Sequence, residues 1–332
     1  MTRISVGDAS LTNILARQGA DLRGQVQRAS QEVATGRHAD IGAALRGDFS
    51  PLLAVDASLA RLAAYKSNTA DAAFQTAAQQ AAISGLSDLT SGISTTLLGA
   101  KNSTPVQIDT LAADAKGRLA SAIGLLNTQA SGRAVFSGVA TGSVPLGPVE
   151  DMLAALQTAA TGATTAGQVS AAVSGWFADP LGFGAFYQGG GPLSATPITQ
   201  GEAAEISTTA TDPALRDTLA GFAMAALLDR GVLAGDATER GRLAQQAGQQ
   251  LVSTEDARTT LAARIGTVEA QIEAARSRNS AEETSLGILR SDIGSVDPYE
   301  AGTRLEVLRS QLESLYLVTA RVARLSLAEY LR

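Results

Sequence analysis

Few residues of this chain are of a type and spacing that could do chemistry. There is one histidine, His38, and no cysteine, so disulfides, thiolate nucleophiles and cysteine-ligated metals are excluded. His38 stands without a second histidine or an identifiable relay partner and is read as a loop histidine. Glu282 and Glu283 are adjacent in a polar helical stretch. Neighbours on a helix point about 100° apart, so they do not form the facing pair of glycosidic acid–base chemistry. "GGG" at 189–191 lacks the following lysine and the strand–loop–helix frame of a phosphate cradle, and is read as a turn. Trp176, Phe177, Phe183, Phe186 and Tyr187 crowd twelve positions. They would serve either as a carbohydrate or partner platform or as the core of a small domain, and the core reading is taken. No EF-hand loop is present, so the expectation is no metal, no cofactor and no enzyme.

The elements that would position any site are helices. Apolar residues make up 45% of the 332 residues, yet aromatics only 4%, a balance expected where helices pack closely along small side chains. The 26 basic and 32 acidic residues leave a charge of −6, without the basic stripe that nucleic-acid binding needs. No run of 18 or more apolar residues occurs, so no membrane span is expected. The N-terminal stretch has no continuous apolar core or cleavage site of a secretory signal. Alone, that reads as cytoplasmic, or as export by a route without a cleavable signal.

Residues 8 to 35 read as a helix with Leu15, Leu22 and Ala29 seven apart, closed by Gly36 as a left-handed cap. Ser50 is the expected N-cap of the next helix, with Pro51 at its first position. From there Leu52, Val55, Leu59 and Leu62 step three, four, three, and the frame runs on to Ile83. Ser103 or Thr104 before Pro105 opens another helix, expected to lie antiparallel to the last. A short β run at Ala134-Val135-Phe136 follows. Asp212 and Pro213 start an apolar helix, and Leu261, Ile265, Val268 and Ile272 continue a helical stripe. Asp297, Pro298 and Glu300 fit N-cap, N1 and N3 of a last long helix, with Leu305, Leu308, Leu312, Leu315, Thr319 and Val322 in a three/four frame.

The fold class expected is therefore mainly α: an elongated bundle of long coiled-coil-like helices from both termini, with a small α+β inserted domain. Its divisions are an N-terminal assembly helix and loop (1–50), two halves of a helical rod (51–140 and 237–296), the insert (141–236) and a C-terminal assembly helix (297–332). The terminal stripes run on past any covering element, so their burial is expected between molecules.

These residues bring a family into view. "RASQEVATGRHADIGAALRGDFSPLLAVDASLARL" resembles the N-terminal segment of the bacterial flagellin family, with Ala34 where serine is usual and a shortened stretch before Pro51. "GRAVFSGVATGSVPL" is similar to the turn before the insert in the hook-associated branch that joins hook to filament, and "LYLVTARVARLSLAEYL" to the end of that branch. The resemblance implies a structural protein of the flagellum, outside the cell, exported through the type III route with a chaperone. It implies assembly as a homo-oligomeric ring or layer, next to a hook-associated protein and flagellin. The expected assembly stripe is Leu11, Leu15 and Leu22 with Leu312, Leu315, Val322, Leu325, Leu327, Tyr330 and Leu331. Two alternatives stay open: a filament-forming flagellin, and a carbohydrate-binding or enzymatic module in the insert.

Overall fold

A computed structural model describes residues 6–330, with side chains described from 11 to 324 except at 12 and 323. The chain is mainly α. Its helices are α1 (Val6–Thr35), a single turn α2 (Ile41–Ala44), α3 (Ser50–Leu98), α4 (Pro105–Leu126), α5 (Val149–Ala159), α6 (Ala166–Ala178), a single turn α7 (Phe183–Phe186), α8 (Pro213–Ala226), α9 (Ala237–Ser253), α10 (Glu255–Gly294) and α11 (Pro298–Tyr330). Two antiparallel hairpins, β1 (Gln129–Ala130) with β2 (Arg133–Ala134) and β3 (Thr196–Thr199) with β4 (Glu202–Ala204), are the strands among the described residues.

Local signals set most boundaries. Thr104 accepts from the Gln107 N–H while Gln107 reaches back to the Thr104 N–H, a full capping box ahead of Pro105. Asp212 caps α8 at Ala214. Gly36 adopts φ +68° and donates to the Glu32 carbonyl at 2.8 Å, ending α1 as a left-handed cap. At α3 the cap lies upstream of its expected place: Ser50 is already helical, and its N–H is taken by the Asp48 carboxylate at 3.0 Å. Hydrogen bonding from the Ser50 side chain, and then from its N–H, holds the Asp48 carboxyl below its ordinary value. The expected β run is also shorter, because β2 ends at Ala134, and Val135 and Phe136 turn into the core instead.

The chain divides into two compact units, Leu62–Ser280 and the paired segments Met1–Arg61 with Ala281–Arg332. The first is inner in sequence. Its core gathers Ile83, Leu86, Ile93 and Leu97 of α3, Leu119 and Leu126 of α4, and Phe222 of α8, each 2% exposed or less. Within it α4 lies antiparallel to α3, with Leu125 against Gly85 and Arg118 against Gly92. A second cluster seats the β3–β4 hairpin, burying Ile198, Ala204 and Ile206 against Ala72, Ile272 and Ala275. Asn68 and Asn279 donate to the Pro197 and Ile198 carbonyls.

One carboxylate of this unit holds a distant helix end. Glu239 of α9 is buried and accepts the Ala166 N–H at 2.7 Å, at the first turn of α6. The donor is one that α6 itself leaves unsatisfied. Glu239→Ala is expected to cost about 1–3 kcal/mol, read as a lower denaturant midpoint at unchanged slope.

Candidate functional site

In the terminal unit α1 and α11 pair antiparallel. Glycine at 19 leaves room for Leu315, whose methyl lies 3.6 Å from where a Cβ would sit. Towards the other end of the pair, Ala29, Ala301 and Leu305 are buried. There the chain segments on either side are stitched by backbone: His38 N–H donates to Gly294 C=O at 3.1 Å, and Val296 N–H to Gly36 C=O at 3.0 Å. Glu32 is the polar centre of this joint. It is 8% exposed, accepts the Ala39 N–H at 3.1 Å, and faces Arg304 at 3.4 Å and His38 Nδ1 at 3.8 Å. Asp297 caps α11 by accepting from Tyr299 and Glu300, while the Glu300 carboxylate turns to Arg304 at 2.8 Å.

Two helices packed side by side bury only one stripe each, and this decides where the expected assembly residues fall. Leu15, Leu22, Leu312, Leu315 and Val322 are half-buried, and Leu11 is exposed. The side chains of Leu325, Leu327 and Tyr330, and Leu331 altogether, lie outside the described residues. The pair also turns a set of apolar side chains outward that the three/four frame does not contain. Ile14 on α1 and Val307, Tyr316, Leu317 and Val318 on α11 are at least half exposed, Leu317 at 73%. Their signal in the sequence is "LYLV" at 315–318, where apolar residues continue off the frame of Leu312, Leu315, Thr319 and Val322. A single helix stripe does not require them there.

The other candidates have structural surroundings. Phe177 and Phe183 are buried with ring centroids 5.1 Å apart, and Trp176, Phe186 and Tyr187 pack partly buried on the same core. The aromatic cluster is a filled core. The glycines at 189–191 form a close backbone crossing rather than a loose turn. Gly190 N–H donates to Ser137 C=O at 2.8 Å, Val139 N–H to Gly191 C=O at 2.9 Å, and the Tyr187 hydroxyl to Gly190 C=O at 2.9 Å. Burial pushes that hydroxyl above its ordinary value. Gly138 faces the crossing at φ +59°, with a Cβ there falling 2.0 Å from the Gly191 oxygen. Glu282 is exposed and Glu283 half-buried on α10. Two clefts of the inner unit hold about 140 and 250 Å³, below the roughly 300–1,000 Å³ of small-molecule sites. Neither is lined by the 176–187 aromatics. No group of three His, Cys, Asp or Glu that could hold a metal occurs among the described residues, and no described helix is long and apolar enough to cross a membrane.

The class of the C-terminal part follows from comparison with known families. Residues 245–331, which span α10 and α11, match the bacterial flagellin C-terminal helical region. That part of the chain is flagellin-like.

Two solved structures are similar over about seven-tenths of this chain. One is the crystal structure of Bacillus cereus FlgL, with 16% identity, TM-score 0.49, and coverage of 71% of this chain and 98% of that one. The other is described as a flagellar hook-associated protein from Vibrio parahaemolyticus, with 14% identity, TM-score 0.48, and coverage of 73% and 95%. A comparison with curated proteins gave no match.

Proposed function

We propose that this chain is a structural subunit of the bacterial flagellum that joins hook to filament, assembling as a ring or layer through its paired terminal helices. The observation that carries the reading is the outward apolar face of the α1/α11 pair, centred on Leu317. An exposed apolar face of this kind marks an association surface. The flagellin-like match over 245–331 supports it, because that region contains α11. The ending "RLSLAEYL", similar to the hook-associated branch, favours the junction over the filament. Export through the type III route, an export chaperone, and neighbours of hook-associated protein and flagellin type belong to the same reading.

Immunogold labelling of cells carrying the tagged protein tests it. The expected result is a narrow band where hook meets filament. Label along the whole filament assigns the protein to the filament instead, and label absent from flagella overturns the proposal.

A further inference from the structure

The seam between α3 and α10 within the inner unit contains a charge where its frame calls for an apolar residue. On α10, Arg258, Leu261, Ile265, Val268, Ile272, Ala275 and Asn279 follow one another three and four apart. Arg258 heads that series and is 3% exposed. Across the seam Ile83, Leu86, Thr90, Ile93 and Leu97 keep the same spacing on α3, so Thr90 also holds a core position, 2% exposed. The two meet: Arg258 Nη2 donates to Thr90 Oγ1 at 2.9 Å, and Nη1 to Thr218 of α8 at 2.9 Å and Thr254 at 2.6 Å.

No carboxylate pairs with this guanidinium among the described residues, and its Nε donates to nothing there. Each acceptor is already oriented. The hydroxyl protons of Thr90, Thr218 and Thr254 go to the carbonyls of Ser87, Ala214 and Leu251, which leaves their lone pairs for the arginine. Burial lowers the arginine's affinity for its proton, and exposed Glu255 offsets this only by longer-range attraction. A buried charge answered by hydroxyls alone is weak support for stability, but it penalises any arrangement that removes the hydroxyls.

The rest of the seam needs such a device. Its apolar residues repeat at heptad spacing, as Leu86 with Ile93 on α3 and Ile265 with Ile272 on α10, so a slip of one heptad again sets apolar against apolar. We propose that Arg258 is a register lock, which fixes the axial alignment of α3 against α10 and sets both against α8 at the expense of thermal stability. A slip of one heptad carries the guanidinium about 10 Å along the helix, away from Thr90. The logic is that of a buried polar residue at one core position of a coiled coil.

The absence of cysteine makes the test direct. Spin labels on Ser91→Cys and Ala270→Cys, both exposed sites on α3 and α10, report the axial offset in the full chain. In the parent the expected distance distribution is single and narrow. In Arg258→Met a second population appears, displaced by on the order of 10 Å, while the melting temperature stays level or rises. Thr90→Val, which keeps the charge and removes one acceptor, melts several degrees below Arg258→Met. An Arg258→Met protein with the parent's single distance overturns the proposal. So does one that melts below Thr90→Val or fails to fold, since either makes the arginine an ordinary stabilising contact.

Discussion

Leu317→Asp is expected to raise the concentration at which the purified protein self-associates and to leave its melting curve unchanged, whereas Leu315→Asp is expected to lower the helicity of the monomer itself. The two residues are two apart on α11 and face opposite ways. Leu315 lies against Gly19 in the seam of the α1/α11 pair, so a carboxylate there sits between two helices that have no other cover on that stripe. Leu317 is 73% exposed, and surface substitutions at such positions usually change stability by about 0.5 kcal/mol or less. In the proposed assembly role, what Leu317 contributes is realised when another molecule covers it. Full burial of a leucine is worth about 1.5–3 kcal/mol, so its loss raises the critical concentration for assembly by roughly 10- to 150-fold. Desolvating the introduced carboxylate adds to that. Pelleting of polymer against protein concentration, beside circular dichroism of the soluble fraction, reads both effects. Normal assembly by Leu317→Asp would place the contact surface elsewhere on the pair.

Gly138→Ala is the most damaging single-methyl change expected in the inner unit. It combines a backbone at φ +59° with a Cβ position 2.0 Å from the Gly191 carbonyl oxygen. The left-handed conformation alone costs an alanine about 1 kcal/mol or more. The clash is with backbone already held by hydrogen bonds from Val139 and Tyr187, so no flexible side chain yields. A total of about 3 kcal/mol or more is expected, which for a unit of this size is a fall in melting temperature of roughly 6–12 °C. Gly191→Ala is the control, because a Cβ there meets nothing within 4 Å. Equal melting of the two variants would show that the crossing is not a rigid contact.

Helices and their starts were the legible part of this chain, because their causes lie within a few residues. Thr104 with Gln107, Asp212 with Pro213, and Gly36 act on the nearest turn of backbone, and each does in the structure what its type and position imply. The α3 start is off by the reach of one side chain, since Asp48 takes the Ser50 N–H. The interruption between α9 and α10 at Thr254 was harder to read. No glycine or proline marks it. Hydroxyls do, as Ser253 and Thr254 bond back to the Gln250 and Leu251 carbonyls, a habit that bends helices. The close crossing of Gly138 and Gly190 joins segments about fifty positions apart, and spacing along the chain says nothing of it. The candidate site divides in the same way. Periodicity located the terminal stripes, but only the pairing geometry separates the stripe that closes the pair from the residues it leaves outside.

The joining of Gly36 to Val296 also bears on the order in which the chain is expected to fold. The two partners lie about 260 positions apart, so the terminal unit closes a long loop. Closing a loop grows costlier by about 0.6 kcal/mol with each doubling of its length. Residues 62–280 collapse through contacts of their own and take most of that loop out of play. Pairing of α1 with α11 is therefore expected to follow the folding of residues 62–280.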